Sequence, residues 1–241
     1  MYKIPKMIHQ VWSDKIRPLP LFFQELSETW KSIYPDWEYV FWDDEKMDSF
    51  IKDYYPEYYF YYQSFPFDVQ RWDTVRYLFL YKFGGMYVDF DYEAIEPLDD
   101  IIQHHICCFA SEPKKHAQLF GKDFYLNNGL IITTPNHPFI QKIINCVMSK
   151  YPASIVYKNI LEEVLLTTGP HMLTDLYDSY ENKQDLFIIP SDIVAPLNKT
   201  EVVNYIYNED VSLEIRMILE KKIEKAKAIH YFVGSWYKSL V

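Results

Sequence analysis

The residues with the plainest chemical meaning are two aspartates one residue apart, Asp89 and Asp91 in the run GGMYVDFD. On a strand their Cα atoms would lie roughly 6.5 to 7 Å apart, with both carboxylates pointing the same way. Left unpaired, the two charges repel. A hard divalent cation removes that repulsion, and Mg2+ or Mn2+ leaves positions open for water and phosphate oxygens. The pair therefore suits a bound diphosphate, although a solvated acidic strand end would look the same. Two other acidic motifs do not fit. A calcium loop needs a further oxygen ligand followed by glycine, whereas Glu93 precedes Ala94, and an aspartyl-phosphate phosphatase would carry Thr or Val at position 93.

Upstream, Asp73 and Arg76 stand three positions apart, a spacing that places them on one helix face. The aspartate can accept hydrogen bonds from sugar hydroxyls, and the arginine can donate to hydroxyls or phosphate. An ordinary surface ion pair is the plain alternative. Asn128, in NNGLII, is a candidate sugar contact or simply a turn residue before a strand. His9 reads equally as a packed histidine.

The elements that would position these groups follow from periodicity. Residues 4–12 and 37–42 read as buried strands around a helix near 21–32, the strand, helix, strand order of a parallel sheet. Between 68 and 83, Val69, Trp72, Val75 and Phe79 recur at helical spacing, and Gly84-Gly85 stops the helix. MYVDFD then alternates strictly: Met86, Val88 and Phe90 on one face, Tyr87, Asp89 and Asp91 on the other. Ligands in open α/β sheets gather at strand C-terminal ends, where this acidic face would lie. Further strands are expected at 106–110, 130–133 and 186–189, helices at 138–150 and 211–227, and a short strand in AIHYFVGSW. The run YYPEYYFYY at 54–62, broken by Pro56, reads as a partly exposed helical hairpin or as core packing between helices.

At 241 residues the chain suits one large α/β domain. Hydrophobic residues at 49% against 24% charged exclude wholesale disorder. Net charge −10 excludes nucleic acid as a partner, since phosphate backbones need clustered Lys and Arg. A nucleotide is different, because a bound cation can neutralise its phosphates in an acidic pocket. No stretch reaches the about 18 apolar residues that span a bilayer, and no leader is evident, so a cytoplasmic protein is expected. Cys107, Cys108 and Cys146 read as free thiols, the first two on opposite faces of a strand.

Taken together, IPKMIHQVW, Asp73-Thr-Val-Arg76, GGMYVDFD and His230 with GSW form a series that resembles glycosyltransferase family 32. These are the D-x-D sugar transferases that include capsular-polysaccharide and yeast mannosyl enzymes. The series is also similar to the catalytic domains of clostridial glucosylating toxins. It is densest over 4–12 and 67–93, with weaker anchors at Asn128, Thr168-Gly169-Pro170 and 230–236.

The resemblance implies a single-domain GT-A type nucleotide-sugar-binding fold over residues 1–241, with a mostly parallel sheet and added helices. It implies a retaining transferase that moves a hexose from a UDP- or GDP-linked donor to a glycan or glycolipid acceptor, with Mn2+ or Mg2+ as cofactor. Asp89 and Asp91 would hold the metal, with His230 as a late ligand where the toxins carry a carboxylate. Asp73 and Arg76 would hold the sugar, Trp12 would stack on the base, and Tyr87, Asp89, Asn128, Ser235 and Trp236 would complete the donor site. Asp73, Arg76, Asp89 and Asp91 would be the catalytic set. Work at the inner face of a bacterial membrane, with peripheral attachment, is the implied setting. A catalytically silent sugar-binding or scaffold protein of the same fold is the alternative.

Overall fold

The computed structural model describes residues 4–15, 17–149, 157–206, 208 and 211–234. Eight strands are present among them: β1 (Met7–Val11), β2 (Glu38–Trp42), β3 (Gly85–Val88), β4 (Tyr92–Ala94), β5 (Cys107–Ser111), β6 (Leu126–Thr133), β7 (Phe187–Ile189) and β8 (Ala228–His230). Six form one sheet in the order β2-β1-β3-β6-β5-β7, and β4 pairs with β8 in a second, two-stranded sheet. The pairings β1 with β2, β1 with β3 and β5 with β7 are parallel, whereas β6 runs antiparallel to both β3 and β5. The expected mostly parallel α/β sheet is therefore found, with β6 as its reversed central strand.

Side-chain alternation divides the core into two layers. Tyr87, Cys107, Phe109 and Ile131 face a layer under the helix Asp68–Phe83, while Met86, Val88, Cys108, Leu130 and Ile132 face Trp30 and Tyr34 of the opposite layer. The period of two is what strands buried on both faces require. It also sends Cys107 and Cys108 to opposite layers as buried free thiols.

The alternation stops earlier than the sequence suggests. Strand β3 ends at Val88, so Asp89 and Asp91 lie on the turn between β3 and β4, where the Tyr92 N–H donates to the Asp89 carbonyl at 3.1 Å. Two forces move the chain out of the sheet. Phe90 joins a third apolar cluster with Phe23 and Leu197, and β4 then pairs with β8, with Tyr92 opposite His230. The expected acidic strand face is thus an acidic turn at the junction of the two sheets.

Other boundaries also move. Asn128 lies inside β6, which begins at Leu126 rather than at 130, so the turn reading of Asn128 does not hold. The C-terminal charged helix is Leu213–Ile223. The tyrosine-rich run forms a 3-10 turn, Pro56–Tyr58, and a short helix, Tyr59–Ser64. Each reading of that run applies to part of it: Tyr62 is buried in the core, whereas Phe60 is 76% exposed. No helix among the described residues is long and apolar enough to cross a membrane.

Candidate active site

The helix Asp68–Phe83 ends at Gly84, whose φ of 68° is open to glycine and strained for other residues, and the chain turns directly into β3. This short connection fixes the helix over the sheet. It directs Asp73 and Arg76 inward, where only 3% and 6% of their surfaces stay accessible. The surface-pair reading therefore fails: the two are buried and bridged, Arg76 Nη2 lying 3.2 Å from Asp73 Oδ1.

Apart from the Arg76 Nε–H, which donates to the Trp72 carbonyl at 3.4 Å on the same helix, the partners that hold the pair come from distant sequence. The Asn128 side-chain amide donates to Asp73 Oδ1 at 2.9 Å, and the Thr168 hydroxyl donates to Asp73 Oδ2 at 2.8 Å. Arg76 Nη1 donates to the Asn128 carbonyl at 2.8 Å and lies 3.5 Å from Asp89 Oδ1. Its guanidinium sits 4.3 Å from the centre of the Tyr87 ring, and the Tyr87 hydroxyl donates to Asp89 Oδ1. Burial raises the Asp73 carboxyl to about 6, against the pull of Arg76. Burial alone would lower the arginine, but Tyr87, Asp89 and Asp73 together raise it further, so it stays charged.

On the other side of the turn, Asp91 Oδ2 accepts from the Val233 N–H at 2.9 Å, and Asp91 Oδ1 lies 3.2 Å from His230 Nε2. The His230 ring is stacked against Tyr92, with centroids 4.1 Å apart. Burial pushes the Asp91 carboxyl up, but the His230 imidazole and backbone donors outweigh it and hold it below the usual range. His230 is raised, since Asp91 outweighs its burial. Asp89 is raised by burial despite Arg76. One donor atom each from Asp89, Asp91 and His230 lies within 4.8 Å of the other two. Two carboxylate oxygens and an imidazole nitrogen at that spacing form a donor set that a Mn2+ or Mg2+ ion fits, with room left for ligand oxygens.

These groups share one cavity of about 650 Å3. Trp12 lines it beside Arg17, with its indole N–H donated to the Arg17 carbonyl at 3.1 Å and its ring edge-on to Phe23 and Phe90. Ser235 and Trp236 lie outside the described residues.

Several site residues carried no signal in the sequence. Asn127 donates to Glu112 Oε1 at 2.5 Å and lies 3.2 Å from His230 Nδ1, tying β6 to the end of β8. Glu112 Oε2 in turn lies 2.6 Å from His116 Nδ1. Gly129 sits at a close approach, where a Cβ would stand 2.6 Å from Asp89 Oδ2 and displace that carboxylate. NNG reads locally as a turn, and only its place in β6 gives each residue a separate partner. His9, by contrast, is a packed residue: it is fully buried, with Nε2 2.9 Å from the Gly84 carbonyl and Nδ1 accepting from the Trp42 indole at 3.1 Å.

Residues 20–107 match the family described as glycosyltransferase sugar-binding region containing DXD motif. Inositol phosphoceramide mannosyltransferase 2 of Schizosaccharomyces pombe is 30% identical over 181 residues, covering 75% of this chain and 48% of that protein. Mannosyl phosphorylinositol ceramide synthase SUR1 of Saccharomyces cerevisiae is 28% identical over 180 residues, covering 74% and 43%. The chain spans about half the length of the curated relatives it matches. Among solved structures, PaToxG glycosyltransferase shares the fold with a TM-score of 0.56 at 17% identity, over 92% of this chain and 86% of that one.

Proposed function

Because this chain belongs, over residues 20–107, to the glycosyltransferase family whose sugar-binding region contains a DXD motif, we propose that it transfers a hexose from a nucleoside-diphosphate donor, with retention of configuration and with Mn2+ or Mg2+ bound. The observation that carries this reading is convergence. The donor atoms of Asp89, Asp91 and His230, within 4.8 Å of one another, open on the same cavity as the buried Asp73, Arg76 and Asn128 cluster.

In this reading Asp89, Asp91 and His230 hold the metal, which when bound supplies charge to stabilise the departing diphosphate. The chain's own residues do the positioning. Asp73 uses three of its about four acceptor sites on Asn128, Thr168 and Arg76, leaving one on Oδ2 for a sugar hydroxyl. Arg76 is fixed by Asp73, Asn128 and the Tyr87 ring, so its donors are already oriented toward the sugar and cost little reorganisation. Tyr87 holds the Asp89 carboxylate, and Trp12 offers its ring to the base. Ser235 and Trp236 belong near the diphosphate by family resemblance.

Relatives named as inositol phosphoceramide mannosyltransferases favour mannose as the hexose and a glycolipid as acceptor, with a glycan as the other class. The whole of 1–241 acts as one catalytic domain in this reading, at the cytoplasmic face of a membrane. A screen of UDP- and GDP-hexoses with Mn2+, read as nucleoside-diphosphate release, tests it. Release from one or more donors is expected; binding of donors with no release from any, with or without glycan and glycolipid acceptors, would favour a silent sugar-binding protein.

A further inference from the structure

A second cleft, of about 460 Å3, adjoins the cavity, with Lys115 and Asn198 lining both. Its walls bring together Lys114 and Lys115 from the start of the helix Lys114–Leu119 and Lys221, Lys222 and Lys225 from the end of the helix Leu213–Ile223 and just beyond it. This is a concentration of positive charge in a chain whose net charge is −10. The carboxylates facing the lysines are Asp192, Glu201 and Glu224. Glu201 serves more than one of them: Oε1 lies 2.6 Å from Lys222 Nζ, Oε2 accepts from the Asn198 N–H at 2.9 Å, and Lys115 also helps hold its carboxyl below the usual range. Five lysines thus face three carboxylates, and among the described residues the close ion pair of this cleft is the one between Lys222 and Glu201.

Helix electrostatics explains only half of the cluster. Lys221 and Lys222 occupy the last turn of their helix, where the macrodipole favours cations. Lys114 and Lys115 occupy the first turn of theirs, the end that disfavours cations, and that turn contains no acidic residue. The shared wall is rigidly made: the Lys199 N–H donates to His116 Nε2 at 3.0 Å, and the other nitrogen of His116 is held by Glu112.

We propose that this cleft is an anion subsite that binds a phosphate or phosphodiester group of the acceptor, holding it beside Lys115 while the acceptor sugar reaches into the cavity. The assignment to the acceptor rests on the transferase reading above, since the donor diphosphate is already provided for at Asp89 and Asp91. The binding of phosphate itself does not depend on that reading.

The test measures binding of glucose 1-phosphate, with glucose as the neutral control, and of phosphatidylcholine vesicles with and without phosphatidylinositol, to the full chain over a range of salt concentrations. Wild type is expected to bind the phosphate ester, the phosphatidylinositol vesicles, or both, more weakly as salt rises. Binding to the ester identifies a soluble phosphate source, and binding to vesicles alone identifies a lipid headgroup. Lys114→Glu/Lys225→Glu should weaken binding at least about tenfold, and Lys114→Arg/Lys225→Arg should preserve it. Absence of binding to both probes, salt-independent binding, or equal affinity in the glutamate variant overturns the subsite. Nucleoside-diphosphate release from donor without acceptor should be equal in all three proteins. Absence of release from wild type both with and without glycan and glycolipid acceptors would count against the transferase reading and leave the phosphate result standing.

Discussion

Asn128 holds Asp73 and Arg76 at once: its side-chain amide donates to Asp73 Oδ1 at 2.9 Å, and its carbonyl accepts from Arg76 Nη1 at 2.8 Å. The residue that links the pair is 52 positions from Arg76 and sits on a strand, not on the helix that carries them. An ion pair held in this way is an oriented group facing the cavity, and its charge is costly to strand.

Asp73→Asn should therefore impair transfer strongly while leaving affinity for the free nucleoside diphosphate nearly unchanged, because that ligand lacks the sugar. Arg76→Ala should in addition lose about 3 to 5 kcal/mol of stability by leaving the Asp73 carboxylate buried and uncompensated. Turnover, calorimetric nucleotide binding and thermal unfolding on the same preparations separate the effects. Normal turnover in Asp73→Asn would remove the sugar-holding role.

Activity should vanish in excess chelator and return with Mn2+ or Mg2+. Asp91→Asn removes one proposed ligand and should cost about 4 kcal/mol of transition-state stabilisation, roughly a thousandfold in rate. Full activity with chelator present, or near-normal turnover in a folded Asp91→Asn protein, contradicts the metal assignment.

At Gly129 a methyl group would meet Asp89 Oδ2 at 2.6 Å and Asn127 Oδ1 at 2.9 Å. Gly129→Ala should push the Asp89 carboxylate off its position and lower Mn2+ affinity by roughly tenfold to a hundredfold. Electron paramagnetic resonance titration of Mn2+ reads this directly. Unchanged affinity would mean that Asp89 is not a ligand or that the turn yields freely.

His9 predicts a pH dependence of stability. Burial lowers its pKa from 6.5 to about 4, so between those values the unfolded chain binds the proton and the folded chain does not. Stability from this group is complete above 6.5 and is lost as pH falls toward 4, by up to about 3 kcal/mol at about 1.4 kcal/mol per pH unit. Asp73, raised to about 6, works in the opposite sense between 3.8 and 6, which makes comparison with a variant necessary. Denaturant unfolding of wild type and His9→Gln at pH 7 and near pH 4.5 should show a steeper loss in wild type. Equal losses would show that His9 is protonated as readily in the folded protein.

The local elements and the chemical inventory were legible in the order of the residues. Helical spacing from Val69 to Phe79, the stop at Gly84 and the period of two through Met86, Tyr87 and Val88 are all written in neighbouring residues, and the structure follows them. Local patterns report the faces of an element, so they carried the α/β class and placed Asp73, Arg76, Asp89 and Asp91 near a strand end. They could not report where a strand leaves its sheet. Asp89 and Asp91 fall on a turn because Phe90 is drawn into a cluster with Phe23 and Leu197, and because β4 finds a partner in β8, far along the chain. The burial of the Asp73 and Arg76 pair was likewise decided by Asn128 and Thr168, and the three-residue donor set by the pairing of Tyr92 with His230. Hydrogen bonds and ligand sets of this kind join residues with no spacing rule between them, and only the packing of the two sheets brings them within reach.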